Sequence, residues 1–218
     1  MHHVLQRAAS GQMLCKDSED FETFLTALHS NADALNVEVH GYVILEDHFH
    51  LLVTPATAEG LPALMQSLGR SYVRYFNRKY SRRGTLWEGR FKSAVLQPLW
   101  FMPVLIFFDT HALRLGNKVA PEDYPWSSFP HYSGARSDRR MASHSEYWGL
   151  GNTPFAREAR YQAAVREGLN SVQLQEITAS VTGGWVLGDL EFVANLQKST
   201  PRRLSKKAPG RPRNALED

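Results

Sequence analysis

Val43-Ile44-Leu45-Glu46-Asp47-His48-Phe49-His50-Leu51-Leu52-Val53-Thr54-Pro55 holds two apolar runs joined by the acidic pair Glu46-Asp47. That pattern is an antiparallel hairpin, with strands over Val37–Leu45 and His48–Thr54 and a tight turn at Glu46-Asp47. Pro55, which has no N–H to give a ladder, ends it. On a strand, residues two apart share a face, so His48 and His50 project together while Phe49 enters the core. Two imidazoles on one face can hold one divalent ion and leave positions open to water or a phosphate oxygen. His-X-His is common by chance, and two ordinary surface histidines are the plain alternative. The turn before the pair and the apolar strand after it favour a built site.

Outward from the hairpin, His2–Ala8 alternates like a first strand. Asp17-Ser18-Glu19-Asp20 offers an N-cap and an acidic first turn. Phe21, Phe24, Leu25, Leu28 and Leu35 then recur at helical spacing, which predicts a helix over 19–35. A second helix is expected over Leu61–Tyr80, with Leu61, Leu64, Met65, Leu68, Tyr72 and Phe76 as its apolar stripe. Arg82–Trp87 reads as a loop and Phe91–Leu96 as another strand. Pro103 and Gly116 frame a third helix. Beyond about 140 the chain reads as short helical pieces, Thr153–Leu169 and Ser171–Ser180. The expected class is α+β, with helices packed on an antiparallel sheet. Three regions are expected: a main domain over 1–135, a helical region over 136–197, and a basic tail over 198–218 that is disordered in isolation.

The chain of 218 residues is 43% hydrophobic and 22% charged, enough to bury a full core without covalent staples. One cysteine, Cys15, leaves neither a disulfide nor a cysteine-based zinc site within the chain. The longest apolar run, Leu99 to Phe108, is ten residues and contains Pro103, far short of the roughly 20 that cross a bilayer. The N-terminus has no apolar stretch of a signal peptide, so a cytoplasmic, nucleoid-associated protein is expected. Residues 1–197 carry 18 basic and 20 acidic side chains, but 198–218 carry 7 basic and 2 acidic. A second basic cluster, Arg70, Arg74, Arg78, Lys79, Arg82, Arg83, Arg90 and Lys92, meets a single acid, Glu88. Two basic segments on a neutral body point to a polyanion. Solvated helix faces and a plain disordered tail are the alternatives. Tyr75, Trp87 and Phe91 lie among the charges and are candidates for stacking on unpaired bases, with core packing the competing role. Pro209-Gly210-Arg211-Pro212-Arg213 resembles an AT-hook core, whose arginines suit a narrow minor groove.

The segment 43–55 resembles the HUH signature of single-tyrosine transposases, and more closely the REP-associated tyrosine transposases. The likeness continues collinearly through Tyr72-Val73-Arg74-Tyr75-Phe76-Asn77-Arg78-Lys79-Tyr80, Gly84-Thr85-Leu86-Trp87-Glu88-Gly89-Arg90-Phe91-Lys92-Ser93, and Asp123-Tyr124-Pro125-Trp126-Ser127-Ser128. It ends at Gly210-Arg211-Pro212-Arg213. The resemblance implies a ferredoxin-like sheet, an Mg²⁺ or Mn²⁺ cofactor, and a single-stranded DNA hairpin with an adjacent guide sequence as partner. It implies a monomer more than a dimer, no membrane, and a helical region over 136–197 that assists DNA binding.

In that family a tyrosine attacks phosphorus, leaving a 5′-phosphotyrosine and a free 3′-OH. Matching Ile106-Phe107-Phe108-Asp109-Thr110-His111-Ala112-Leu113-Arg114-Leu115-Gly116 to the family's block puts Phe107 at the nucleophile position. Phenylalanine has no oxygen with which to attack. No tyrosine lies between Tyr80 and Tyr124, so a shifted alignment restores none. The intact surrounding blocks favour a deliberate substitution, and a natural loss with binding retained reads the same way. His111, one turn after Phe107, is the implied third metal ligand with His48 and His50; a partly exposed helix histidine is its plain alternative. His2, His3, His29, His40, His131 and His144 read as ordinary structural or surface histidines. Two rivals stand beside the transposase: a non-catalytic hairpin-binding protein, and a metal nuclease using water, for which no general base is evident.

Overall fold

The computed structural model describes residues 1–116 and 119–206. Four strands, β1 (His2–Arg7), β2 (Val37–Ile44), β3 (His48–Pro55) and β4 (Lys92–Val95), form one antiparallel sheet in the order β2-β3-β1-β4. Helix α1 (Ser18–Ala34) follows β1, and α2 (Gly60–Lys79) follows β3. The βαββαβ order with this strand arrangement is the ferredoxin-like topology that the sequence led one to expect.

Each element begins where its residues dictate. Asp17 caps α1 by accepting from the Asp20 N–H at 3.1 Å, and Glu19 and Asp20 sit in the first turn, where the helix dipole favours anions. The apolar stripes of α1 and α2 pack on one sheet face. Phe24 of α1 meets Phe49 of β3 at 4.8 Å between ring centres and Tyr72 of α2 at 5.0 Å. Alternation along β3 therefore sends Phe49 to this face and His48 and His50 to the other.

The second face is covered by α3 (Phe101–Asp109), preceded by a 3₁₀ turn at Pro98–Trp100. The third helix differs from the expected continuous one between Pro103 and Gly116. It starts at Phe101, bends at Thr110, and resumes as the short α4 (His111–Arg114). The Thr110 hydroxyl donates to the Ile106 carbonyl at 2.7 Å, a back-bond of the kind that bends helices. Tight seating of α3 on the sheet depends on Gly41 in β2: a Cβ there would stand 2.3 Å from Cδ2 of Leu105. The pairing of β2 with β3 shifts register between Val39 and Gly41, a bulge at the point where the helix comes closest.

The C-terminal half is helical, as expected, with more pieces than the sequence announced: α5 (Phe129–Tyr132), α6 (Ser145–Trp148), α7 (Pro154–Glu167), α8 (Ser171–Gly183) and α9 (Leu190–Gln197). Tyr161 and Val165 of α7 and Ile177 of α8 are buried in the same apolar cluster as Val4 and Leu51 of the sheet. Buried Asp109, at the end of α3, accepts a hydrogen bond from the Tyr161 hydroxyl, tying α3 to α7. Among the described residues no helix is long and apolar enough to cross a membrane. The expected AT-hook residues Arg211 and Arg213, with most of the basic tail, lie outside the described residues.

Gly41→Val should crowd Leu105 and cost about 1–3 kcal/mol, the usual penalty for overpacking. Thermal unfolding should show a melting temperature lower by several degrees. An unchanged melting temperature would mean that α3 does not rest on β2 as described.

Candidate metal centre and nucleic-acid interface

Strand β3 places His48 and His50 two residues apart, and α4 places His111 one turn after Phe107. The sheet and the helix thus close three imidazoles into one buried cluster, His48 and His50 each only 2% exposed. One ring nitrogen from each of the three lies within 4.8 Å of the others. The ring centres are 5.4 Å apart for His48–His50, 4.8 Å for His50–His111 and 5.1 Å for His48–His111. The sequence grouped these three, and the fold brings them together.

Hydrogen bonds fix the polarity of the cluster. Arg114 can only donate, and its Nη2 lies 2.8 Å from Nδ1 of His111. A neutral His111 therefore carries its proton on Nε2, directed at Nε2 of His48 across 2.9 Å. His48 Nδ1 in turn donates to the Asp47 carboxylate at 2.6 Å. The result is a directional chain from Arg114 through His111 and His48 to Asp47. His50 stands outside it. Its Nδ1 pairs with Nε2 of His3 at 2.7 Å, while its buried Nε2 has no partner.

An orphaned imidazole nitrogen beside two others is the donor set a divalent cation takes. Burial holds the protonation of all three histidines down: His111 falls to about 3, His48 lies below its ordinary value and His50 well below it. The neighbouring Arg7 charge adds to the effect. All three are neutral at neutral pH, the form that ligates metal. Seating an ion against His111 Nε2 must displace the proton that this nitrogen shares with His48.

Three residues that the sequence reading left aside complete the site. His3, expected to be ordinary, is fully buried and holds His50. It shares the face of Leu5 and Arg7 by strand alternation, but only the long-range pairing of β1 with β3 puts it opposite Leu52 and beside His50. Arg114 covers the Phe107 ring at 4.2 Å and donates to the Phe107 carbonyl at 2.8 Å. Its spacing of three from His111 and seven from Phe107 was a readable signal of a shared helix face. Arg7 pairs in register with His48, which puts an exposed cation at the mouth of the cluster. Phe107 itself is buried, its ring 5.6 Å from His50 and 5.2 Å from His111.

The basic segment divides. Arg70, Arg74, Arg78, Arg83, Arg90 and Lys92 are exposed. Lys79 is instead caged by Asp17, Glu19 and Asp20 at 2.7 to 3.0 Å. Arg82 donates to Gln12 and lies over the Phe76 ring at 5.5 Å. Both cations are engaged in holding α2 against the start of α1 and the preceding loop. Tyr75 likewise turns inward and donates to Asp20. Trp87 and Phe91 are half-buried on the rim of a groove between α2 and the segment before β4.

Residues 1–97 match the family model described as Transposase IS200 like. A solved REP-associated tyrosine transposase bound to a REP hairpin aligns with 66% of this chain and 84% of its own, at 10% identity and a TM-score of 0.48. A transposase structure from Deinococcus radiodurans aligns with 55% of this chain and 90% of its own, at 17% identity and a TM-score of 0.38. No curated protein matches.

Two measurements check this geometry. His3 and His111 both lie near 3 in the folded chain, against about 6.5 when unfolded, so the unfolded state takes up protons first. In EDTA, stability should therefore be full above about pH 6.5 and fall as pH drops towards 3, and His111→Asn should flatten that slope. Separately, His3→Phe keeps a ring in the buried slot but removes the bond to His50. It should weaken Mn²⁺ binding about tenfold or more, as loss of a ligand's supporting partner does. The readout is a smaller Mn²⁺-induced rise in melting temperature; an unchanged rise would reduce His3 to packing.

Proposed function

We propose, from the match of residues 1–97 to the IS200-like transposase model, that this chain is a REP-associated-type transposase that binds a single-stranded DNA hairpin with an adjacent guide sequence and does not cut it. The observation that carries this reading is Phe107. Its ring lies against His50 and His111, on the helix and at the position where the resemblance expects the nucleophilic tyrosine. Strand cleavage by this route needs a hydroxyl oxygen to bond to phosphorus as the 3′ oxygen leaves. Phe107 has none.

The surrounding residues divide the remaining work. His48, His50 and His111 would hold Mg²⁺ or Mn²⁺. Such an ion, when bound, draws charge from a phosphate oxygen and orients it. His3 holds the His50 ring, Asp47 holds His48, and Arg114 holds His111, so the three rings are positioned beforehand and an ion has only to displace the proton between His111 and His48. Arg7 offers a phosphate oxygen a cation at the edge of the cluster. The exposed arginines Arg70, Arg74 and Arg78 recur along one face of α2, spaced to track a backbone. Lys92, Arg90 and Arg83 extend that surface, and the tail arginines Arg211 and Arg213 would add salt-dependent attraction. The helical region 136–197 supports the arrangement by anchoring α3. The protein would work as a monomer in the cytoplasm, close to the nucleoid.

The rival, a domesticated binding protein, uses the same hairpin-binding residues and differs in having no cleavage to restore. The water-driven nuclease has less support, since Asp47, the carboxylate at the cluster, is committed to His48.

Phe107→Tyr separates the readings, adding one hydroxyl to a ring already in place. With Mn²⁺ and a hairpin carrying its guide sequence, the variant should cleave one strand, release the fragment ending in the 3′-OH, and stay attached to the 5′-phosphate end of the other fragment. The product is a shifted band that survives denaturation, and the unsubstituted chain should give none. A variant that binds the hairpin but stays inert would replace the disarmed transposase with the binding protein.

A further inference from the structure

A groove of about 440 Å³ lies between α2 and the segment that leads into β4. Its walls are apolar, with Trp87 and Phe91 on one side and Met65 and Val73 on the other, and Arg70 and Arg90 stand at its edges. Both arginines are exposed, and among the described residues neither is in an ion pair or a side-chain hydrogen bond. Trp87 is held firmly. Its indole packs edge-on to Phe49 at 6.0 Å, and its Nε1 lies so near α2 that a Cβ on Gly69 would come within 3.2 Å of it.

The groove also leads somewhere. A smaller cleft of about 220 Å³ shares Gln6, Gly89 and Arg90 with it and continues past Leu5 to Arg7 and Lys92. Arg7 faces His48 across the β1–β3 ladder, and Lys92 pairs with Leu5, which in turn pairs with His50. Cations therefore run from the histidine cluster, through Arg7, Lys92 and Arg90, to the groove and Arg70. The one acid along the way is Glu88. Regularly placed cations beside fixed aromatic faces make the pattern of a single-strand binding surface, in which phosphates follow the charges and bases stack.

We propose that this groove takes an unpaired base of the DNA strand that continues from the histidine cluster, stacked against Trp87 with its flanking phosphates on Arg70 and Arg90. The proposal rests on the hairpin-binding function proposed above and adds a place where the protein itself senses the single-stranded flank. A duplex offers no base for the groove, because its bases are already stacked and paired.

The test uses the full chain, a DNA hairpin with a four-nucleotide 5′ single-stranded flank, and the same hairpin with that flank made abasic. The unsubstituted protein should bind the intact flank about tenfold more tightly, the scale of one stacked base. Gln66→Trp fills the groove from an exposed position on α2, where a larger side chain leaves the core untouched. It should bind both DNAs equally, at the affinity of the unsubstituted protein for the abasic flank. Trp87→Leu should do the same and serves as a second variant. If the preference for the intact flank is absent, or survives Gln66→Trp, the groove is not a base site. A dimer that Gln66→Trp breaks, with the flank preference intact, would make it an interface between copies and would also overturn the proposal. Failure of the unsubstituted chain to bind any of these DNAs would instead strike the hairpin-binding reading itself.

Discussion

Three histidines packed between a sheet and a helix form the constraint around which this molecule is arranged. An imidazole removed from water loses its hydrogen bonds, and leaving any buried polar group unpaired costs about 1–3 kcal/mol. The structure answers that cost group by group. Arg114 and Asp47 close the ends of the His111–His48 pair, and His3 takes one side of His50. Nε2 of His50 is left without a partner, within 4.8 Å of ring nitrogens of His48 and His111. Three imidazoles gathered at this distance are a donor set that a divalent cation fits.

That arrangement exists only because α3 lies flat on the sheet, and much of the chain serves this docking. Gly41 lets Leu105 approach β2, and the neighbouring bulge shapes the strand beneath it. On the outer side, Tyr161 binds Asp109, whose carboxyl is pushed up to about 7 by burial. The C-terminal helices thereby press α3 inward, so a residue fifty positions along the chain from His111 helps fix Phe107 and His111. The bend at Thr110 swings His111 towards His48 while leaving it one turn from Phe107. These features serve the site and would be wasted on a helix that merely covered the sheet.

The legible part of this architecture was local. Strand alternation put His48 and His50 on one side and Phe49 on the other, and the N-cap at Asp17 and the stripes of α1 and α2 followed from spacing alone. The βαββαβ order needed only the sequence of elements. What escaped was set by long-range pairing. His3 lies beside His50 only because β1 sits between β3 and β4, and no pattern within His2–Ala8 states that. Lys79 and Arg82 looked like members of a free basic face, yet the N-cap Asp17, Glu19 and Asp20 of α1 and Gln12 from the preceding loop claim them. Composition counts charges, and only the fold shows which ones are already spoken for. Arg114 is the different case: its position three residues from His111 on a helix was open to view.

The central claim is that the open nitrogen of His50 belongs to a shared cation site with His48 and His111. Anomalous diffraction from crystals of the protein soaked in Mn²⁺ tests it most directly. The account predicts one strong peak among the Nε2 atoms of the three histidines, with the direct contact between His48 and His111 opened by the ion. A map with no peak there, or with manganese only at surface carboxylates, would contradict it and leave the cluster as a buried hydrogen-bond network.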